Sequence, residues 1–175
     1  MRTVVLRVVA LALLLLLALV AVLSVRTLRR LPDTVVYFMA SDGTSFHLEP
    51  AYRRGGRGDA VVRAEREVAA LAAGPTRSEA AKGMSSAVPA DTRVLDARLD
   101  GDTLTIDLSA SFERGGGTSM MMGRLNQLLY TLTRPSSVSA VRLEVAGRPV
   151  TVFGGEGIQV ENPWLRSAAP DNPVW

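Results

Sequence analysis

Leu125 to Val150, LNQLLYTLTRPSSVSAVRLEVAGRPV, constrains the fold more than any other stretch. The spacing predicts a helix running to Thr133. Arg134-Pro135-Ser136-Ser137 breaks it. A strand then alternates through Val141, Leu143 and Val145, and Gly147 stops it. An amphipathic helix followed so soon by a strand needs a sheet to lie on, and the strand needs neighbours. The stretch itself contains no obvious chemistry.

The segment Thr34 to Thr133 supplies those neighbours. Val35-Val36-Tyr37-Phe38-Met39 is β-branched and aromatic throughout, which reads as a buried central strand. Asp42-Gly43 turns the chain, and Phe46 to Arg53 pairs back. Asp59 is a suitable N-cap for a helix whose apolar face is Val61, Ala64, Val68, Leu71 and Ala72, ended by Gly74-Pro75. Thr76-Arg77-Ser78-Glu79 has the pattern of a capping box and predicts one or two further turns. Leu95, Ala97 and Leu99 alternate with Asp96 and Arg98, and Asp100-Gly101 is a hairpin signal. On the return, Leu104, Ile106 and Leu108 alternate with Thr103, Thr105 and Asp107. This alternation predicts a sheet covered on one side only. Thr118 or Ser119 caps the last long helix. Its stripe is Met121, Leu125, Leu128, Leu129 and Leu132, with Arg124, Gln127 and Thr131 opposite.

The expected fold class is therefore α/β (α+β). It is a mixed small sheet packed by two main helices, in the order ββα-ββαβ, preceded by an N-terminal transmembrane helix. Val8 to Val25 is eighteen residues with Ser24 alone polar, near the lower limit for a bilayer span. The reading that competes with an uncleaved anchor is a signal sequence. Its best cleavage site, Val22-Leu23-Ser24, is poor and arginines follow. The expected division is a tail at 1–7, the anchor at 8–25, a linker at 26–33, a domain at 34–153 and a mostly irregular tail at 154–175, read as having no fixed role, with docking of Trp164 and Trp175 on the domain or a partner as the alternative. A short strand at Val150 to Phe153 is a further expectation.

Charge narrows the function. Arg2, Arg7, Arg26, Arg29 and Arg30 lie in the first thirty residues, leaving 15 basic against 17 acidic residues beyond them, a net charge of −2. The basic pI belongs to the N-terminus, so no nucleic-acid partner is expected. The absence of cysteine excludes disulfides, a thiol nucleophile and a thiolate metal site.

Several details, taken in order, carry a family resemblance. They are Val36-Tyr37-Phe38, Leu71-Ala72-Ala73-Gly74-Pro75, Ser86-Ala87-Val88-Pro89, Gly101 to Ser109 (GDTLTIDLS), Phe112, Tyr130-Thr131-Leu132-Thr133, Val138-Ser139-Ala140-Val141 and Val145-Ala146-Gly147. Together they resemble the GerMN domain, the sporulation and spore-germination domain of bacterial envelope proteins, over Thr34 to Phe153. The resemblance implies an extracytoplasmic, membrane-tethered module with no established catalytic residues. Many such proteins are lipoproteins. Without a cysteine for lipid, the helix at 8–25 would take the lipid's place at the cytoplasmic membrane. The order from Asp59 to Val150, α-β-β-α-β, also resembles the ring-building motif of sporulation and secretion machines, which implies self-association.

No catalytic, cofactor-binding or metal-ligating residue is assigned, and no cofactor is expected. His47, the sole histidine, shares a strand face with Glu49, and too few ligands converge there for a metal or hydrolase site. Asp107 and Ser109 lack a histidine beside them in sequence. Gly115-Gly116-Gly117 precedes a helix but lacks the lysine of a phosphate loop. Met120, Met121 and Met122 are core or an adaptable contact surface. Arg53, Arg54 and Arg57 read as a solvated edge that could meet lipid head groups or wall polymers. The functional expectation is non-catalytic binding or scaffolding of an envelope protein or peptidoglycan. The alternative is an accessory peptidoglycan-binding module or a regulator of a wall hydrolase.

Overall fold

A computed structural model of the chain describes residues 2–28, 34–54, 58–155 and 157–175. The chain divides into two compact units, Met1–Pro32 and Asp33–Trp175.

The first unit is one helix, α1 (Arg2–Leu28). Its described side chains are Arg7, Leu11 and 13–24, all of them exposed. Among the described residues no helix is long and apolar enough to cross a membrane. The expected span 8–25 is therefore not recovered as a membrane helix. Of that expectation Leu11 and 13–24 are described, and its other side chains lie outside the described residues, as does most of the expected linker.

The second unit contains β1 (Thr34–Ser41), β2 (Phe46–Arg53), α2 (Ala60–Ala73), α3 (Arg77–Ala80), β3 (Val94–Asp100), β4 (Thr103–Leu108), α4 (Thr118–Leu132), β5 (Ala140–Val145), β6 (Arg148–Pro149), β7 (Val152–Phe153), β8 (Ile158–Gln159) and β9 (Trp164–Leu165). A five-stranded sheet runs β3-β4-β5-β6, with β9 also on β5. β3–β4 is an antiparallel hairpin, and β4–β5 is parallel, joined through α4. β1–β2 is a separate antiparallel ribbon, and β7–β8 another. The predicted order of main elements is present, and the strands are divided among several small sheets.

The local signals act as the residue chemistry requires. The Asp59 side chain accepts from the Val62 amide at the start of α2, and Gly74 ends the helix at φ 78°. Thr76 and Glu79 form a capping box. Gly101 turns the hairpin at φ 61°, a conformation that suits glycine. At α4 the expected cap is different: Gly117 is the N-cap, with no side-chain hydrogen bond.

Leu104, Ile106 and Leu108 of β4 and Val141, Leu143 and Val145 of β5 line one sheet face. They join Val68 and Leu71 of α2 and Met121, Leu125, Leu128 and Leu132 of α4 in the core. The expectation that the other sheet face lies open is corrected: Thr105 and Asp107 are buried as well. Arg98 on β3 reaches across β4 to Glu144 on β5 at 3.0 Å, so long side chains of the flanking strands roof the central one. β3 itself is an edge. A register shift between Val94 and Asp96 leaves Leu95 at a bulge, and Leu95 and Leu99 are exposed rather than inward.

The polar side of α4 is also corrected. Arg124, Gln127 and Thr131 are buried. They satisfy the backbone of β1 and of the segment before β3. The Thr131 hydroxyl accepts from the Tyr37 amide at 3.0 Å, and Gln127 Nε2 donates to the Tyr37 carbonyl at 3.1 Å. Gln127 Oε1 accepts from the Ala87 amide at 2.7 Å. Met39 bonds with Ser85 in both directions. The free edge of β1 is thereby closed by side chains of a helix, where a central strand would use another strand. Gly123 allows the approach, since a Cβ there would lie 2.3 Å from Met39 Sδ.

Candidate binding groove

Three faces of α4 have three tasks. Met121, Leu125, Leu128 and Leu132 meet the sheet. Arg124, Gln127 and Thr131 hold β1. Met122, Asn126, Leu129 and Tyr130 line a groove closed on its other side by the C-terminal segment. That segment is docked, contrary to the expectation of an irregular tail. β9 pairs with Ala140 and Val141 of β5. Trp175 and Phe46 exchange backbone bonds and stack at 6.2 Å, and Trp175 Nε1 donates to the Ser119 carbonyl. Asn162 Nδ2 donates to the carbonyls of Leu143 and Val150, both at 3.1 Å.

The groove has a volume of about 390 Å³. Tyr130, Trp164 and Trp175 line it, with Asn126, Gln159 and Glu161 as polar groups. Trp164 packs against Tyr130 with ring centroids 5.4 Å apart. Arg166 lies 4.6 Å over the other partner ring, Tyr130, whose hydroxyl donates to the Pro170 carbonyl at 2.6 Å. Burial raises the Tyr130 pKa above its ordinary value and the nearby Arg166 charge opposes this, so the phenol stays protonated at neutral pH. Tyr130 is buried beneath these partners, so the groove offers two half-buried tryptophans, amides and one carboxylate, a set that binds by stacking and hydrogen bonding.

The residues weighed from sequence lie apart from it or are occupied. His47 Nε2 is 3.4 Å from Glu49 on β2. Asp107 accepts from the Gly147 amide and holds the turn after β5. Ser109 accepts from the Arg93 amide and contacts Ser111. Arg53 makes a bidentate pair with Glu79, both bonds at 2.7 Å, and lies 5.2 Å over the Phe38 ring. Arg54 is exposed, and Arg57 lies outside the described residues. The loop before α4 is tied by the Arg124 guanidinium, which donates to the carbonyls of Phe112, Arg114 and Gly115, and through Nε to Ala87. Burial lowers the Arg124 pKa from its ordinary value. Of the three methionines, Met121 is core, Met122 lines the groove and Met120 is exposed. Among the described residues no three His, Cys, Asp or Glu side chains cluster to hold a metal ion. Composition alone could have flagged the groove: both tryptophans lie near the C-terminus, and both line it.

The family model Germane, described as sporulation and spore germination, matches residues 35–151. The chain belongs to the GerMN family. Solved structures agree with that fold. The first GerMN domain of the sporulation protein GerM from Bacillus subtilis superposes with TM-score 0.62 at 18% identity, over 77% of this chain and 97% of that one. The tandem GerMN domains of the same protein give 0.59 at 20%, over 76% of this chain, which spans 45% of that structure. A candidate lipoprotein from Clostridium perfringens gives 0.53 at 19%, over 76% of this chain and 86% of that one. A search of curated proteins finds no match. The GerMN match ends at Thr151, so the segment that closes the groove lies beyond it.

Proposed function

We propose that this GerMN protein is held at the cytoplasmic membrane by α1, with its domain on the outer side, and that it acts without catalysis by binding the cell wall. The groove between α4 and the C-terminal segment carries this reading. Trp164 and Trp175 suit the faces of sugar rings, and Asn126, Gln159 and Glu161 suit the hydroxyl and acetamido groups of a wall glycan. The anchor reading draws support from the run of exposed leucines and valines along α1 and from the lipoprotein description of the Clostridium relative. Tethering confines the domain near the wall and raises its effective concentration there. The family description, sporulation and spore germination, points to envelope assembly as the setting.

Intrinsic fluorescence tests the site directly, because the chain's two tryptophans both line the groove. Soluble peptidoglycan fragments should shift the emission saturably. Gln159→Ala and Asn126→Ala should each weaken the apparent affinity about three- to tenfold, the worth of one or two hydrogen bonds. Unchanged emission at millimolar fragment would overturn the assignment.

A further inference from the structure

β3 is the outer strand of the five-stranded sheet and has no strand partner on its other edge among the described residues. A strand paired on one side leaves alternate backbone N–H and C=O groups free to extend the sheet. Charges on an edge ordinarily oppose such pairing. Here their order does the reverse. The sequence Leu95-Asp96-Ala97-Arg98-Leu99 is self-complementary when read antiparallel about Ala97.

We propose that β3 pairs antiparallel with β3 of a second copy, centred on Ala97, to make a symmetric dimer with one continuous sheet. In that register Ala97 faces Ala97 and Asp96 faces Arg98 twice, all within the regular part of the strand. Directly opposed residues share a face of the sheet, so the charges can pair. The charged side chains are accessible, Asp96 and Arg98 being 61% and 56% exposed, and the ion pair they form within one strand at 2.9 Å exchanges for the same pair across the axis. Charge also fixes the register. Moving the two-fold axis to Arg98 sets Arg98 against itself and Asp96 against Asp100. Moving it to Asp96 sets Asp96 against itself. The bulge at Leu95 bounds the ladder, whose regular part with β4 runs from Asp96 to Asp100. An isologous contact of this kind closes on itself and leaves no further edge of β3 for a third copy. The contact is short, so the dimer is weak in solution, and confinement of two copies to one surface would favour it.

Paired charge reversals test the geometry in the full chain in detergent micelles. Arg98→Glu sets two acidic residues of one copy against the same two of the other, and Asp96→Arg sets two basic residues against their counterparts. Each variant alone should dimerise at least about tenfold more weakly than the wild type. An equimolar mixture should recover dimer, because acidic and basic edges then face each other. The chain has no cysteine, so Ala97→Cys adds a reporter at the two-fold axis. Mild oxidation should link it into a disulfide dimer, and adding either charge reversal should suppress the link. Circular dichroism confirms that each variant is folded. No Ala97→Cys link, equal dimerisation of both charge variants and wild type, or a mixture that stays monomeric would each overturn the proposal.

Discussion

Gln127 shows how much one buried polar side chain can hold. Its amide, itself fully buried, joins the Ala87 N–H to the Tyr37 carbonyl. Gln127→Leu keeps the volume and orphans both backbone groups. A loss of about 2–4 kcal/mol is expected, read as a lower urea midpoint at unchanged slope. Sequence could not mark this residue as buried, because an amide at that position on a helix ordinarily faces water. Glu67 is a second case. It is buried on α2, accepting from the Thr34 hydroxyl at 2.6 Å with Arg63 3.9 Å away. Burial lifts its pKa from 4.5 to about 7, against the opposing effects of Thr34 and Arg63. The folded state thus holds this proton more tightly than the unfolded chain does. That contribution is complete below pH 4.5 and is lost as pH rises through 7, on the order of 3 kcal/mol. Glu79 behaves oppositely. The hydrogen bonds from Arg53, joined by those from Thr76, lower its pKa to about 2, so its contribution is present above pH 4.5 and lost as pH falls toward 2. Urea titrations across pH should therefore place maximal stability near pH 4.5–5. Glu67→Gln should remove the decline toward pH 7.

Most elements were legible because each carries its own stop and start chemistry. Asp59, Gly74, the Thr76–Glu79 box and Asp100-Gly101 act locally, and local chemistry is written in sequence. What failed to show was what each face meets. The alternation in β4 was readable, but the roof that Arg98 and Glu144 place over its polar face depends on a parallel neighbour 37 residues beyond. The bulge at Leu95 likewise breaks an alternation that looked regular. The C-terminal segment was misread for a related reason. It lacks periodicity because it is held by single contacts: Asn162 to two carbonyls, Trp175 to Phe46, and Arg166 over Tyr130. Removing residues 154–175 uncovers Tyr130 and the β9 edge of β5. The truncated chain should unfold at a lower urea midpoint with a smaller slope, since less surface is buried. An unchanged midpoint would mean that the segment rests on the domain without stabilising it.

For the whole molecule, fold and site differ in how they are encoded. The GerMN match covers β1 to β6 and the two main helices, whose residues are explained by packing. The groove borrows one wall from that fold, the Met122–Asn126–Tyr130 face of α4. It takes the other from the segment beyond the match. That is why the recognisable residues identify the fold and leave the proposed binding groove unmarked. The proposed action needs both units of the chain, α1 at the membrane and the groove at the wall. Co-sedimentation of the detergent-solubilised full chain with purified peptidoglycan at low salt tests it most directly. The wild type should pellet with the wall, Gln159→Ala and Asn126→Ala should stay largely in the supernatant, and the wall's fragment profile should be unchanged. A wild-type chain that remains in the supernatant, or a wall that is cleaved, would contradict the account.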